Sequence, residues 1–126
     1  YAEVLATLAK QPGTLAAAEQ SRLGCTHADL GAYLMSIWGL PQSLVRAVAY
    51  HDRPSESVEQ GLSSLSVVHG ADAIVSSTSD SLIIQDVQWD ESYLQALGLS
   101  GREPIWRAIY QQQLEQAKAR ACSASQ

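Results

Sequence analysis

The sequence predicts an all-α protein, an irregular bundle of six or seven helices. Apolar residues recur at spacings of three and four over most of the chain, which is the period of a helix. Residues that cap or stop helices stand between these segments, whereas alternating strand patterns are too sparse to build a sheet. A length of 126 residues with 46% hydrophobic content allows one domain with a core of useful size.

The first two helices are marked by their ends. Residues 1–10 carry an apolar helical pattern that Pro12 and Gly13 stop. Residues 15–23 form the second predicted helix, which Gly24 closes.

The third helix begins after the N-cap Thr26 and ends at Gly39. A stripe of large apolar residues runs along it, and we expect the stripe to face the core: Leu30, Leu34, Ile37 and Trp38. Pro41 opens a fourth helix, which stops before Arg53 and a Ser/Glu-rich loop over residues 54–61.

The second half predicts three further elements. Residues 62–75 are apolar on more than one side, which favours a central helix buried among the others. Residues 76–88 leave two alternatives open, a loop with a short extended piece or a helical turn. Asp90 caps a short helix that ends at Gly98, and Pro104 opens the last helix, which we expect to fray after residue 118.

Composition excludes several classes of function. The net charge is −5 and the eight basic residues are scattered, so neither nucleic acid nor an anionic membrane surface is an expected partner. Cys25 and Cys122 lie far apart without metal-like spacing, which favours a reducing cytoplasm over a disulfide framework. The apolar runs are far shorter than the ~20 residues of a membrane span. The chain begins inside a helical pattern without a cap, so we expect a fragment of a longer protein.

Candidate chemistry rests on the three histidines and their neighbouring carboxylates. His27, His51 and His69 each fall on the apolar stripe of their own predicted helix. Asp52 follows His51, and Asp72 shares a helix face with His69. Such residues suit a divalent metal site that activates water for hydrolysis. The alternative, which spacing alone favours, is that backbone carbonyls or carboxylates satisfy each histidine, with Asp72 partnering His69.

Other residues indicate packing rather than chemistry. Gly31 lies one turn after His27, where a glycine allows another backbone to approach closely. The chain has no Phe, so the large aromatic residues are expected in the core: Trp38, Tyr50, Trp89 and Trp106. Phosphate-loop, dinucleotide-binding and nucleophile-elbow motifs do not occur in the sequence.

Residues 24–54 closely resemble the HDOD family of bacterial signalling domains, through the segments GCTHADLGAYLMSIWGLP and VAYHDRP. The segment SVVHGADAI at residues 66–74 and the segment over residues 89–98 are similar to later helices of that family, so the resemblance covers about residues 14–110. It implies an HD-domain-like fold, here over residues 1–119 with a frayed tail over 120–126. HDOD domains resemble HD-type phosphohydrolases and typically lack a full set of metal ligands.

The resemblance also matches individual residues of this sequence to positions in the catalytic relatives. His27 matches the histidine that opens a helix of the catalytic relatives, His51 falls in their His-His position, and Asp72 matches a later aspartate. Asp52 replaces the second histidine of the His-His pair. The defining His and His-Asp residues of HD enzymes would lie upstream of residue 1, and no Gly-Tyr-Pro follows His51.

Two functions therefore stand as hypotheses. The first is a non-catalytic signalling module without a resident cofactor, the output domain of a cytoplasmic bacterial response regulator in a two-component system. Its expected partners are an N-terminal receiver domain and, because apolar stripes could be exposed, a second copy in a homodimer. The second is a fragment of a metal-dependent phosphohydrolase, a cyclic-di-nucleotide phosphodiesterase holding Mn, Fe or Zn.

Overall fold

The computed structural model describes residues 2–8, 14–59, 61–78 and 88–123. Within these ranges every regular element is helical, which confirms the all-α prediction. A single 3₁₀ turn at Pro54–Glu56 lies in the segment expected to be a loop. The seven α-helices of the described ranges are α1 (Ala2–Leu8), α2 (Leu15–Leu23), α3 (His27–Ile37), α4 (Gln42–Tyr50), α5 (Ser64–Thr78), α6 (Glu91–Ala96) and α7 (Glu103–Ser123).

Local hydrogen bonds explain where the helices begin and end. Gly24 ends α2 in the left-handed conformation, with φ of 76°. Thr26 and Asp29 form a reciprocal capping box at the start of α3, in which each side chain accepts from the backbone N–H of the other. Asp90 caps α6 by accepting from the backbone N–H of Tyr93. The caps predicted at Thr26 and Asp90 are therefore confirmed.

Some sequence expectations differ from the structure or lie outside it. The last helix extends to residue 123, five residues beyond the point after which fraying is expected. The alternatives left open for residues 76–88 are only partly addressed, because residues 76–78 belong to α5 and residues 79–87 lie outside the described ranges. Residues 9–13, with the predicted helix stop, also lie outside those ranges.

The hydrophobic core lies where α4, α5 and α6 meet. Ala47, Leu65 and Tyr93 are buried together there, and Tyr50 and Leu97 pack against them. Because α4 contacts both α3 and α5, it connects the core to the first half of the chain. None of the described helices is both long enough and apolar enough to cross a membrane.

The orientation of α3 corrects the sequence prediction. Its small residues Ala28 and Ala32 are buried, whereas its large apolar residues point to solvent. Trp38, expected to pack in the core, is 71% exposed. A Cβ on Gly31 would come 3.0 Å from Val48 Cγ1, so α3 and α4 approach closely through small side chains. This short spacing leaves no room for a stripe of bulky residues between the two helices.

The helix α5 is buried along one face and, at Ile74, on a second side. Leu65, His69 and Ala73 follow each other at spacings of four and are buried. Val67 and Val75 are exposed, so α5 is only partly covered, but the buried Ile74 lies on the opposite side of the helix from Leu65, as the expectation of burial on more than one side requires. Beyond α5, Trp89 and Trp106 are partly buried, and the centroids of their rings lie 5.6 Å apart.

Candidate functional site

The close contact between α3 and α4 determines where the first two histidines lie. His27 is the first residue of α3, and His51 directly follows α4. Gly31 lies one turn after His27, and Val48 lies three residues before His51. The contact between Gly31 and Val48 therefore sits beside both histidines and brings their rings together.

A buried carboxylate that sequence reasoning missed holds His27. Glu19 of α2 is 1% exposed and accepts a hydrogen bond from the backbone N–H of His27 at 2.8 Å. The distance between His27 Nδ1 and Glu19 Oε2 is 2.7 Å. The sequence does carry a signal for this carboxylate, because Glu19 lies four residues from both Leu15 and Leu23 on the apolar stripe of α2.

The imidazole rings of His27 and His51 face each other, with 3.2 Å between their Nε2 atoms. The Nδ1 atom of His51 lies 2.8 Å from the carbonyl oxygen of Val48. A carbonyl only accepts, so Nδ1 of His51 carries a proton. The hydrogen bond between the two Nε2 atoms needs one further proton, which either ring can carry.

The carboxylate of Asp72 lies beside this pair rather than beside His69. Asp72 Oδ2 is 3.7 Å from His51 Nε2, and both side chains are partly buried. The structure thus brings together three residues that the sequence singled out, His27, His51 and Asp72. The alternative in which Asp72 partners His69 is wrong, because both ring nitrogens of His69 bind other groups.

The third histidine, His69, is fully buried and connects three parts of the chain. Its Nδ1 lies 2.7 Å from the carbonyl oxygen of His51. Its Nε2 accepts from the backbone N–H of Asp90 at 3.2 Å. These two partners fix the tautomer, since a carbonyl requires a donor and an N–H requires an acceptor. His69 is a neutral structural residue that joins the end of α4 to the start of α6.

The carboxylate of Asp52 does not join the histidine pair. Its Oδ1 atom is buried and has no hydrogen-bond partner in the described part of the chain. Adjacent residues at a helix end point in different directions, which separates Asp52 from His51 despite their sequence order.

The described residues do not form a ready ligand set for a metal ion. Within residues 2–8, 14–59, 61–78 and 88–123, no group of three or more His, Cys, Asp and Glu side chains could hold one. The ring nitrogens of all three histidines lie within hydrogen-bond distance of other groups of the chain. An ion at this site would have to break the contact between His27 and His51.

The profile of the HDOD domain matches residues 1–54, a segment that ends three residues after His51. Over these 54 of its 126 residues, the chain is similar to the HDOD domain family. Searches of curated proteins and of solved structures gave no match. The HDOD match contains Glu19, His27 and His51, whereas His69 and Asp72 lie beyond it.

Within the HDOD segment, Asp29 and Arg53 fix the start of α3. The backbone N–H and hydroxyl of Thr26 lower the pKa of Asp29 most, and Arg53 adds to this effect. The guanidinium group of Arg53 lies 3.2 Å from Asp29 Oδ1. Because Thr26 directly precedes His27, these contacts hold the backbone from which the His27 ring projects.

A second polar junction lies just outside the HDOD segment, at Asp90. Burial is the largest single influence on this carboxyl group and raises its pKa, but hydrogen bonds together outweigh burial and lower the pKa to about 2. The donors are the hydroxyls of Ser55 and Ser92 and the backbone N–H groups of Ser55 and Tyr93. This junction ties the 3₁₀ turn to α6.

Proposed function

We propose that this chain is a non-catalytic signal-transduction and interaction module. The observation that carries the proposal is the use of the histidines, since every ring nitrogen of His27, His51 and His69 contacts another group of the chain. His69, the fully buried histidine of the three, needs such partners for the fold to be stable. The HDOD match over residues 1–54 supports the same function.

The contacts of each histidine explain this role. His27 joins α2 to α3 through Glu19, and the contact between His27 and His51 joins α3 to the end of α4. His69 then joins the end of α4 to the start of α6. A catalytic metal site would instead need ligands free to bind the ion, oriented by a second layer of hydrogen bonds.

The parent protein, in this proposal, is a cytoplasmic bacterial response regulator of a two-component system. Its receiver domain precedes the HDOD segment, and this chain is the C-terminal part of the output region. The proposal follows from the resemblance to HDOD domains, which often sit behind receivers. A module of this kind acts through protein surfaces, and the exposed apolar residues of α3 offer one.

Metal content and turnover test the proposal together. The full chain, purified without chelator and again after incubation with Mn, Fe and Zn, is expected to hold no stoichiometric metal by elemental analysis. It is also expected to leave cyclic dinucleotides and nucleotide phosphates intact. Turnover that disappears in His27→Ala and persists in Glu115→Ala, a variant at an exposed position of α7, would overturn the proposal.

One observation favours a second candidate, a metal-dependent phosphohydrolase fragment. The 3.2 Å between His27 Nε2 and His51 Nε2 matches two ligands of one ion, since metal–nitrogen bonds of about 2.1 Å place neighbouring nitrogens about 3 Å apart. Asp72 lies beside them on α5 and would have to change position to become a third ligand. Stoichiometric metal that is lost in both His27→Ala and Asp72→Ala would support this candidate, and metal retained in both would exclude the site.

A further inference from the structure

A continuous row of large apolar side chains lies on the solvent side of α3. Their spacings of three and four place them on one face of the helix. Each is between 40% and 71% exposed. We call this set the α3 stripe: Leu30, Tyr33, Leu34, Ile37 and Trp38. Exposed apolar patches of this kind mark interaction surfaces.

The α3 stripe stands in a part of the chain that carries no charge. Residues 30–45 contain no Asp, Glu, Lys, Arg or His, although the whole chain has a net charge of −5. The single carboxylate of α3, Asp29, is already bound to Thr26 and Arg53. Aromatic residues without neighbouring charges are typical of the centre of a protein interface.

We infer that a second copy of this chain covers the α3 stripe, with the two α3 helices packed against each other across a two-fold axis. In such an interface the same patch of both copies meets, so charged groups near the two-fold axis would face their own copies and repel each other. A charge-free face avoids that repulsion, which two copies carrying −5 would otherwise meet. A partner attracted by opposite charge finds nothing to pair with on this face.

The area of the α3 stripe fits a dimer of modest affinity. The five side chains expose roughly 600 Å² per copy, taking about 200 Å² for a fully exposed residue of this size. A standard interface buries about 800 Å² per partner. The stripe thus supplies most of a standard interface, and the ends of the helices would supply the polar rim. Self-association through this face does not require the signalling role proposed above, so the two can fail separately.

Sedimentation equilibrium of the full chain over a range of concentrations tests the inference. We expect a reversible monomer–dimer equilibrium. Ile37→Glu and Tyr33→Glu should each raise the dimer Kd at least about tenfold, because each copy would bury an unpaired carboxylate. The matched control is Val58→Glu, which makes the same charge change at a residue that is 82% exposed and away from α3, and which should leave Kd unchanged within about twofold.

Hydroxyl-radical footprinting of the unsubstituted chain gives a second measurement that does not depend on a variant folding. Trp38 is 71% exposed in the single chain and should lose reactivity as the concentration rises through Kd. A monomer at every concentration would overturn the inference and leave the stripe to a different protein. A dimer that resists both α3 substitutions, or that leaves Trp38 equally reactive, would overturn the location of the interface.

Discussion

His69 Nδ1 lies 2.7 Å from the carbonyl oxygen of His51, so the side chain of one histidine holds the backbone of another. The other ring nitrogen of His69 accepts from Asp90, 21 residues further along the chain. One buried imidazole thus closes the junction between α4, α5 and α6.

Replacing His69 should destabilise the fold strongly. His69→Ala removes two buried hydrogen bonds and leaves a cavity, and should lower the free energy of unfolding by about 3 kcal/mol or more. His69→Phe fills the volume but leaves the carbonyl of His51 and the N–H of Asp90 unpaired, which should still cost about 2 kcal/mol. Urea denaturation followed by circular dichroism measures both. A loss below about 1 kcal/mol in His69→Ala would contradict a junction role.

The interaction between Glu19 and His27 should appear as a coupling energy. A double-mutant cycle with Glu19→Ala, His27→Ala and the double variant isolates the bond between the two side chains. We expect about 1.5–3 kcal/mol, the usual range for a hydrogen bond to a charged group. The backbone N–H of His27 remains in all variants, so Glu19→Ala alone should cost more than His27→Ala. Additive effects of the two single substitutions would show that the side chains do not interact.

Close packing of α3 on α4 predicts that the effect of Gly31→Ala on stability changes sign when Val48 is shortened to alanine. Gly31→Ala improves helix propensity, but the added Cβ meets the stiff Val48 side chain at 3.0 Å and should cost about 1 kcal/mol net. In a Val48→Ala background the contact is gone, and the same substitution should stabilise by up to about 1 kcal/mol. Thermal and urea unfolding of the unsubstituted chain, the two single variants and the double variant measure these changes in stability.

Gly70 in α5 offers a matched control for the Gly31 substitution. A Cβ there would lie 3.9 Å from Trp89, an ordinary contact, so Gly70→Ala should stabilise the chain by up to about 1 kcal/mol. Equal effects of alanine at both glycines would show that the contact with Val48 has no influence on stability.

The hydrogen bonds to Asp90 predict a pH dependence of stability. Its pKa is about 2 in the folded chain, against 3.8 without the fold, so its contribution is present above about pH 4 and is lost as pH falls towards 2. Allowing for solvent screening at this partly exposed group, we expect a contribution of about 1 kcal/mol. Asp90→Asn keeps a side chain that can cap α6 but cannot titrate. Free energies of unfolding between pH 2 and 5 should therefore converge for the two proteins at low pH, and parallel curves would refute the assignment.

Helix positions could be predicted from local signals, whereas the burial of α3 could not. Gly24, Thr26 and Asp90 act within a few residues of themselves, so the sequence reveals them. The side of α3 that faces inward depends on its distance from α4. Periodicity identified the large residues as a stripe, but the close approach at Gly31 places the small residues inside.

The histidine site shows the same limit. His27, His51 and Asp72 were singled out by spacing or resemblance, and the structure brings them together. Glu19 was missed because an acidic residue on a stripe of alanine and leucine reads as an exposed side chain unless its partner is known. That partner is a histidine eight residues later, beyond a turn, and helical periodicity does not extend across a turn.

The glycine at the crossing of α3 and α4 also determines the distance between two imidazole rings. His27 and His51 lie on the same side of that crossing, each about one turn from it, and their separation depends on how near the two helix axes come. Because Gly31 places no side chain between the two helices, it allows the two imidazole rings to lie close together. A bulkier residue there would push α3 away from α4 and lengthen the 3.2 Å between the two Nε2 atoms.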